Sequence, residues 1–113
     1  MLSGFYAIYY TGATGSGIGV IVITNTGVIT GADMIGGRYD GNYTQNPAGG
    51  YDAKIRMSFP PGAALVTGAL AGAQPLNMEM MAMLPADLGG EHPITLQTPT
   101  GSINVIFRKL RDL

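Results

Sequence analysis

A single histidine, His92, is the first residue to consider for chemistry, and it stands in the loop at residues 89–93. A metal site there needs two or three further ligands, which Glu91 alone cannot supply. A nucleophilic triad also lacks partners, because the serines lie in predicted strands or turns without a nucleophile motif. We therefore predict no catalytic residues and no metal site, and we expect a protein that is not an enzyme.

The glycine-rich segment at residues 12–19 has the pattern Gly-x-x-Gly-x-Gly-x-Gly, which invites comparison with phosphate-binding loops. It does not fit the dinucleotide-binding motif, because Val20 stands where the third glycine belongs. It does not fit the P-loop motif either, because no lysine follows. It precedes a strand-like run, so no helix N-terminus is available to hold a phosphate. We interpret the segment as a hairpin turn and predict no bound cofactor.

Asp33 is the most informative acidic residue, because it follows a predicted strand and precedes Met34-Ile35-Gly36-Gly37. An aspartate in such a place commonly caps a turn by accepting hydrogen bonds from backbone N–H groups. The alternative is a contact with a ligand at the mouth of a barrel. We favour the cap and keep the ligand contact as the second interpretation of Asp33.

Alternating apolar and polar residues predict the strands that would position these groups. The alternation is clearest from Tyr51 to Phe59, and runs of β-branched and aromatic residues between glycine turns indicate the others. The predicted strands cover residues 3–10, 17–24, 28–31, 36–44, 51–59, 77–84, 94–98 and 102–108. Residues 63–75 fit either strand or helix, and we predict a weak strand at 64–67. Short strands at short spacing favour a sandwich or a closed up-and-down barrel.

The methionine-rich run at residues 77–84 contains good helix formers, but Pro75 and Pro85 bound it too closely for a typical helix. As a strand it has apolar residues on both faces, with Met81 and Met83 on the outer one. A strand that is apolar on both faces is typical of one covered by the core and by a second subunit. We predict a homodimer with Met81 and Met83 in its interface. Flexible thioethers also suit an adaptable ligand pocket, which remains the alternative.

Composition limits the partners. The net charge of −1 lacks the positive excess that is typical of nucleic-acid-binding proteins. We interpret the basic residues Arg108, Lys109 and Arg111 as a solvated end of the chain. Only 12% of the residues are charged, which favours self-association. The chain has no cysteine, and its first residues lack the pattern of a signal peptide, so we expect the cytoplasm and no membrane association. The length fits a single domain over residues 1–113.

Four glycine-containing motifs carry a resemblance to a known family. They are Gly4-Phe5-Tyr6, Gly17-Ile18-Gly19-Val20, Gly27-Val28-Ile29-Thr30-Gly31-Ala32-Asp33 and Tyr39-Asp40-Gly41-Asn42-Tyr43. The chain resembles the GrlR family of bacterial negative regulators of type III secretion gene expression. The resemblance implies a small lipocalin-like up-and-down barrel of about eight short strands, assembled as a dimer. It also implies sequestration of a transcriptional activator through an acidic stretch, but the corresponding residues 43–50 contain no acid.

Two hypotheses for function follow. The leading one is a regulatory binding protein whose partners are itself and a transcriptional regulator protein. Its protein-binding loop would contain Gln45, Asn46 and Pro47, because exposed loops commonly carry recognition. The alternative is a carrier or sensor that holds a small apolar ligand inside the barrel. A large internal cavity lined by methionine and aromatic residues would favour the carrier, and a filled core with an exposed groove would favour the regulator.

Overall fold

The computed structural model describes residues 2–113, which form eight strands and one short 3-10 turn. The strands are β1 (Gly4–Gly12), β2 (Gly15–Ile23), β3 (Val28–Asp33), β4 (Arg38–Gln45), β5 (Tyr51–Phe59), β6 (Leu76–Leu84), β7 (Ile94–Thr98) and β8 (Gly101–Arg111). The 3-10 turn, Leu88–Gly90, lies between β6 and β7. The all-β fold class that the alternation predicts is therefore confirmed.

The strands form one antiparallel sheet that nearly closes on itself. Its order is β6-β5-β4-β3-β2-β1-β8-β7, so every strand except β6 and β7 has a hydrogen-bonded neighbour on both sides. β6 and β7 lie side by side, but no ladder joins them in the described residues. Because each neighbour in space is also a neighbour in the chain, apart from β8 beside β1, the sheet is an up-and-down barrel, as predicted.

Alternation along each strand divides the side chains between the barrel interior and its outer surface. In β5 the residues Ala53, Ile55, Met57 and Phe59 are buried, whereas Asp52, Lys54 and Arg56 between them are exposed. The same pattern buries Tyr6, Ile8 and Tyr10 in β1 and Ile21 and Ile23 in β2. The core of the domain is therefore the inside of the barrel.

The methionine-rich run forms β6, a strand as predicted. Met80, Ala82 and Leu84 are buried, while the side chains of Met81 and Met83 are 68% and 75% exposed on the outer face. β6 pairs with β5 along its full length. This pairing and the burial of the inner face outweigh the helix propensity of methionine, alanine and glutamate.

The weak strand predicted at residues 64–67 is wrong. Ala64 makes only an isolated bridge with Leu70, and the chain turns back between them. The turn is closed by a hydrogen bond from Gly68 N to Leu65 O, with Gly68 at a φ of 97°. A residue in this left-handed conformation interrupts an extended strand, which is why apolar content alone misleads here.

Several strand boundaries also differ from those predicted. β4 begins at Arg38, because Gly36 adopts a φ of 85° and belongs to the preceding turn. The predicted strands leave residues 11–16 between them, but the turn there has only two residues, because β1 continues to Gly12 and β2 begins at Gly15. The predicted strand ends at Arg108, but β8 continues through Arg111. The basic end is therefore part of the sheet and not a tail.

Residues 60–75, which we call the lid segment, cover one end of the barrel. The β1–β2, β3–β4 and β7–β8 turns lie at this end. Thr14 N donates to Val66 O at 2.8 Å, and the hydroxyls of Thr67 and Thr100 are hydrogen bonded at 2.9 Å. The lid segment is thus fastened to two of the three turns that surround it.

The opposite end of the barrel is closed by apolar side chains. Leu2 and Leu88 are both buried there, and the Tyr6 hydroxyl donates to Leu2 O at 2.5 Å. The β4–β5 turn also lies at this end. Hence the barrel has one end filled by a short N-terminal segment and one covered by the lid segment.

Candidate ligand-binding cavity

The barrel interior contains a cavity of about 100 Å³ that is partly open to its surroundings. Its walls are almost entirely apolar and come from all eight strands and the lid segment. The apolar lining residues are Ile8, Ile21, Ile23, Ile29, Ile35, Ile55, Met57, Phe59, Leu65, Val66, Met78, Met80, Leu84, Leu96, Ile103, Val105 and Phe107. The remaining lining residues are Asp33, three threonines and two tyrosines. Asp33 and the threonines stand at the lid end, where the strands turn.

Asp33 ends β3 and organises the β3–β4 turn. Its Oδ1 accepts hydrogen bonds from Gly37 N at 2.8 Å and from Ile35 N at 3.2 Å, so the carboxylate caps the turn. Gly37 is needed here, because a Cβ on it would lie 2.7 Å from Asp33 Oδ2 and from the Phe59 ring. The same half-buried carboxylate lines the cavity. Capping and facing a ligand are therefore compatible roles for this residue.

Tyr39, at the start of β4, holds the other carboxylate oxygen. Its hydroxyl donates a hydrogen bond to Asp33 Oδ2. Burial raises the pKa of Tyr39 far above its usual value, and the hydrogen bond and negative charge of Asp33 raise it further. The phenol therefore keeps its proton and acts as a fixed donor to Asp33.

Tyr10, on β1, is in the opposite situation. It is only 6% exposed, and its hydroxyl makes no hydrogen bond of regular geometry within residues 2–113. Burial raises the pKa of Tyr10 to about 12, and the negative charge of Asp33 and a weaker hydrogen-bonding interaction with that carboxyl raise it further. The ring lies over Gly17, where a Cβ would come within 2.4 Å of the hydroxyl oxygen. Gly17 thus makes room for a buried hydroxyl that the fold leaves unpaired.

Three threonines complete the polar end of the cavity. The hydroxyl of Thr67 in the lid segment bonds that of Thr100, and Thr98 Oγ1 donates to Gly101 O at 2.7 Å. Their hydroxyls are thereby engaged within the protein. No lysine, arginine or histidine in the described part of the chain lines the cavity. Asp33 is therefore the only charged side chain among the described lining residues.

The sequence-predicted protein-binding loop lies at the other end of the barrel. Asn46 Oδ1 accepts hydrogen bonds from Ala48 N and Gly50 N, at 3.0 and 3.1 Å, so this side chain builds the turn. Gln45 and Pro47 are exposed. The structure therefore separates the three predicted residues into one that shapes the loop and two that are free to contact a partner.

The other predicted residues stay apart from the cavity. Met81 and Met83 point outward from β6. His92 is exposed in the loop before β7, with Nε2 3.7 Å from Asp87 Oδ2. Among residues 2–113 no group of three or more metal-binding side chains occurs. Of the candidates named from the sequence, only Asp33 belongs to the cavity.

Sequence reasoning missed both tyrosines. A signal did exist, because Tyr10 continues the inward alternation of β1 and Tyr39 is the second residue of β4, close to Asp33 in the chain. What could not be read from the pattern is the pairing of Tyr10 with Gly17 across β1 and β2. That register decides which hydroxyl finds a partner and which does not.

Comparison of the chain with protein-family models, curated protein sequences and solved structures finds no match. The resemblance to the GrlR family therefore stays a prediction. In the part of the chain that the structure describes, no helix has the length and apolar character needed to cross a membrane. Interpretation of the cavity has to come from its own geometry.

Proposed function

We propose that this protein binds a small, largely apolar molecule inside its barrel, as a carrier or a sensor. The observation that supports the proposal best is the apolar cavity inside the barrel, which contains one buried hydroxyl, that of Tyr10, without a hydrogen bond of regular geometry. Ligand sites typically combine apolar walls with a few polar groups that orient the ligand. An unpaired buried hydroxyl costs about 1–3 kcal/mol, which a ligand that bonds it would recover.

The size of the cavity defines the size of the ligand. An apolar cavity of about 150 Å³ in another protein stays dry and accepts benzene. At about 100 Å³ this cavity is smaller, so it fits a molecule of the size of benzene at most. The walls of isoleucine, leucine, methionine and phenylalanine offer dispersion contacts to a ligand. They provide no hydrogen-bonding groups that could hold several water molecules. The ligand class is therefore small and mostly hydrocarbon.

The polar groups support binding rather than catalysis. Both tyrosines are protonated at neutral pH, as ordinary tyrosines are, and burial raises their pKa values still further from neutral. Asp33 already holds two backbone N–H groups and the Tyr39 hydroxyl. A group fixed in this way positions a ligand but is poorly arranged to take up and release protons in each cycle of a reaction.

Benzene is a suitable first probe, and a matched pair of variants tests the site. Val105→Phe fills the cavity from a buried position, whereas Met83→Phe adds the same ring on the outer face. We expect benzene to raise the melting temperature of the wild type and of Met83→Phe, but not that of Val105→Phe. Equal responses of the two variants, or no response of the wild type, would contradict the proposal.

A second candidate function is binding of a protein, first of all a second copy of this chain. It is favoured by an apolar area on the outer face of β1 and β2, which we call the β1–β2 patch. Its residues are Ala7, Tyr9, Ile18, Val20, Ala32 and Ile106. They adjoin one another through the register, since Tyr9 pairs with Ile18 and with Ile106, and Val20 pairs with Ala7 and with Ala32.

A second copy suits this patch because none of its six residues is charged, so two copies could bury them face to face. Ile18 and Val20 are 54% and 56% exposed. Charged residues border both surfaces, since Arg108 and Arg38 lie opposite Ala7 and Ala32, and Lys54 and Asp52 lie opposite Met81 and Met83. The β1–β2 patch is the more continuous of the two, because its apolar residues adjoin one another across four strands. We therefore place the dimer proposal at the β1–β2 patch. Regulation by capture of a transcriptional activator would require an additional surface, such as the loop with Gln45 and Pro47.

A further inference from the structure

The polar end of the cavity carries a negative charge without a positive partner. Asp33 and the exposed Asp52 take part in none of the ion pairs found among residues 2–113, whereas the other five acids each lie near a basic group. Asp33 is also half-buried, so solvent compensates its charge less well than that of an exposed acid. The interior near Asp33 is therefore at negative potential.

The carboxylate also keeps unused hydrogen-bonding capacity. A carboxylate offers about four acceptor positions, and Asp33 uses three of them, for Ile35 N, Gly37 N and the Tyr39 hydroxyl. Oδ2 accepts only the Tyr39 hydroxyl among the hydrogen bonds found. The remaining position has only the Tyr10 hydroxyl nearby, whose interaction with Asp33 is not a hydrogen bond of regular geometry, so a stronger donor from the cavity can take it.

The unpaired hydroxyl of Tyr10 points to the same kind of ligand. Its proton is attracted toward the negative charge of Asp33, which leaves the oxygen lone pairs available to the cavity. Two acceptors, Asp33 Oδ2 and Tyr10 Oη, therefore stand at one end of an apolar chamber. A group with several protons satisfies both of them at once.

We propose that the ligand is a small apolar amine whose protonated amino group binds between Asp33 and Tyr10. This inference rests on the proposed function, because it assigns the chemical class of the molecule in the cavity. An ammonium group has three N–H donors and no acceptor, which matches the two free acceptors. An apolar acid is disfavoured, because its carboxylate would face Asp33 with no described cation nearby.

The energetics of burying a cation are favourable at this position for a specific reason. The desolvation of Asp33 and of the Tyr10 hydroxyl is already part of the folded protein, so the ligand adds only its own. Asp33 stands beside the lid segment at the end of the barrel, where it keeps partial contact with solvent. An amine there exchanges water for a charge-assisted hydrogen bond, while its hydrocarbon part enters the dry chamber.

A series of four probes of nearly equal size tests the ligand class. They are n-butylamine, 1-butanol, n-pentane and propionate, each of about five non-hydrogen atoms, which the cavity admits. Binding is measured near neutral pH by titration of the isotope-labelled protein in NMR, which detects millimolar affinities. We expect the amine to bind about tenfold more tightly than pentane, butanol to fall between them, and propionate to show no binding.

The variants Asp33→Asn and Tyr10→Phe assign the effect to the two residues. Asparagine keeps an acceptor for the turn but removes the charge, so the tenfold preference for the amine over pentane should disappear while pentane binds as before. Tyr10→Phe should reduce the preference by several-fold. A full preference in Asp33→Asn would overturn the inference.

The wild-type series decides the question even if a variant does not fold. The amine inference would be overturned if pentane and butanol bound at least as tightly as the amine, or if propionate bound as tightly as pentane and butanol. Either result would leave the proposed function standing. Binding of none of the four would count against both. Shifts confined to residues on the outer face would likewise contradict both.

Discussion

Two tyrosines face the same aspartate, and they differ in whether their hydroxyls are satisfied. Tyr39 donates to Asp33 Oδ2, so its buried oxygen is paired, whereas Tyr10 Oη has no partner among the described residues. The difference arises from position, since Tyr39 belongs to the turn that Asp33 caps and Tyr10 approaches it from β1 over Gly17. Substitution of the two residues should therefore have opposite effects on stability.

We predict that Tyr10→Phe stabilises the unliganded protein by about 1 kcal/mol and that Tyr39→Phe destabilises it by about 1–3 kcal/mol. Phenylalanine at position 10 removes a buried hydroxyl without a partner, while at position 39 it leaves a carboxylate oxygen of Asp33 unpaired. Urea unfolding of the two variants beside the wild type measures both changes. Destabilisation of similar size in both would mean that Tyr10 has a partner in solution.

The raised pKa of Tyr10 gives the stability a dependence on alkaline pH. The unfolded chain loses the Tyr10 proton near pH 10, but the folded protein holds it to about pH 12. The unfolded state then binds fewer protons, so the free energy of unfolding falls as the pH rises above about 10. Tyr10→Phe lacks this contribution, and its advantage over the wild type should grow by about 1 kcal/mol between about pH 9 and pH 11.

Urea unfolding at several pH values in this range measures the change. Other groups titrate there too, but they are shared by both proteins and cancel in the difference. A constant difference between the two proteins would show that the Tyr10 hydroxyl is solvated in the folded state.

At the residue scale the sequence predicted the role of Asp33 in the turn but did not predict that Tyr10 and Tyr39 lie beside it. An aspartate between a strand and two glycines predicts a capped turn from local spacing alone. The tyrosines depend on register between strands distant in the chain and on the space above Gly17. Such contacts are properties of the assembled barrel, so a local pattern does not contain them.

Among the elements, the β4–β5 turn combines a structural residue with two exposed ones. Asn46→Ala removes hydrogen bonds to two backbone N–H groups and one to Asp52, and we predict a loss of about 1–2 kcal/mol. Gln45→Ala with Pro47→Ala should change the stability by no more than about 0.5 kcal/mol. Thermal unfolding checks both, and a stability loss in the double variant as large as in Asn46→Ala would contradict this division.

The division decides how the loop is tested for protein binding. A variant that includes Asn46 would lose a partner through a distorted turn, even if the loop made no contact. The Gln45 and Pro47 double variant keeps the turn and tests the contact itself.

The outer faces of β2 and β6 give competing predictions for a dimer. We expect the wild type to sediment as a dimer at micromolar concentrations, and the double variant Ile18→Lys, Val20→Lys to sediment as a monomer. The double variant Met81→Lys, Met83→Lys adds the same charge on another exposed face and serves as the control that stays dimeric. The sequence alone favours the opposite result, because β6 is the strand with two apolar faces.

Sedimentation velocity distinguishes the two interfaces. A monomeric wild type would contradict both predictions. Dissociation by the methionine variant with a dimeric Ile18 and Val20 variant would restore the prediction from sequence and exclude the β1–β2 patch.

The elements themselves were predicted well where one face is buried and poorly where it is not. Alternation predicted the bounds of β5, Tyr51–Phe59, because burial of every second side chain leaves a strict pattern. Residues 64–67 are as apolar, yet they belong to the lid segment, where Gly68 reverses the chain. Apolar content there serves to cover the end of the barrel and not to extend the sheet.

At the scale of the whole molecule, the cavity results from how the sheet closes. Inward side chains from all eight strands and from the lid segment meet around about 100 Å³ that they do not fill. A pattern of apolar residues predicts that the barrel has a core, but whether this core is complete depends on side-chain volumes summed over the closed sheet. For this reason the sequence left the filled and the hollow barrel as open alternatives.

The central claim is that a small apolar molecule occupies this cavity. The most direct test is the measurement of intermolecular nuclear Overhauser effects between benzene and the methyl groups of the isotope-labelled protein. We predict contacts to methyl groups that line the cavity, among them those of Leu96 and Val105, and none to those of Val20 on the outer face. Contacts to Val20 without contacts to Val105, or none at saturating benzene, would contradict the claim.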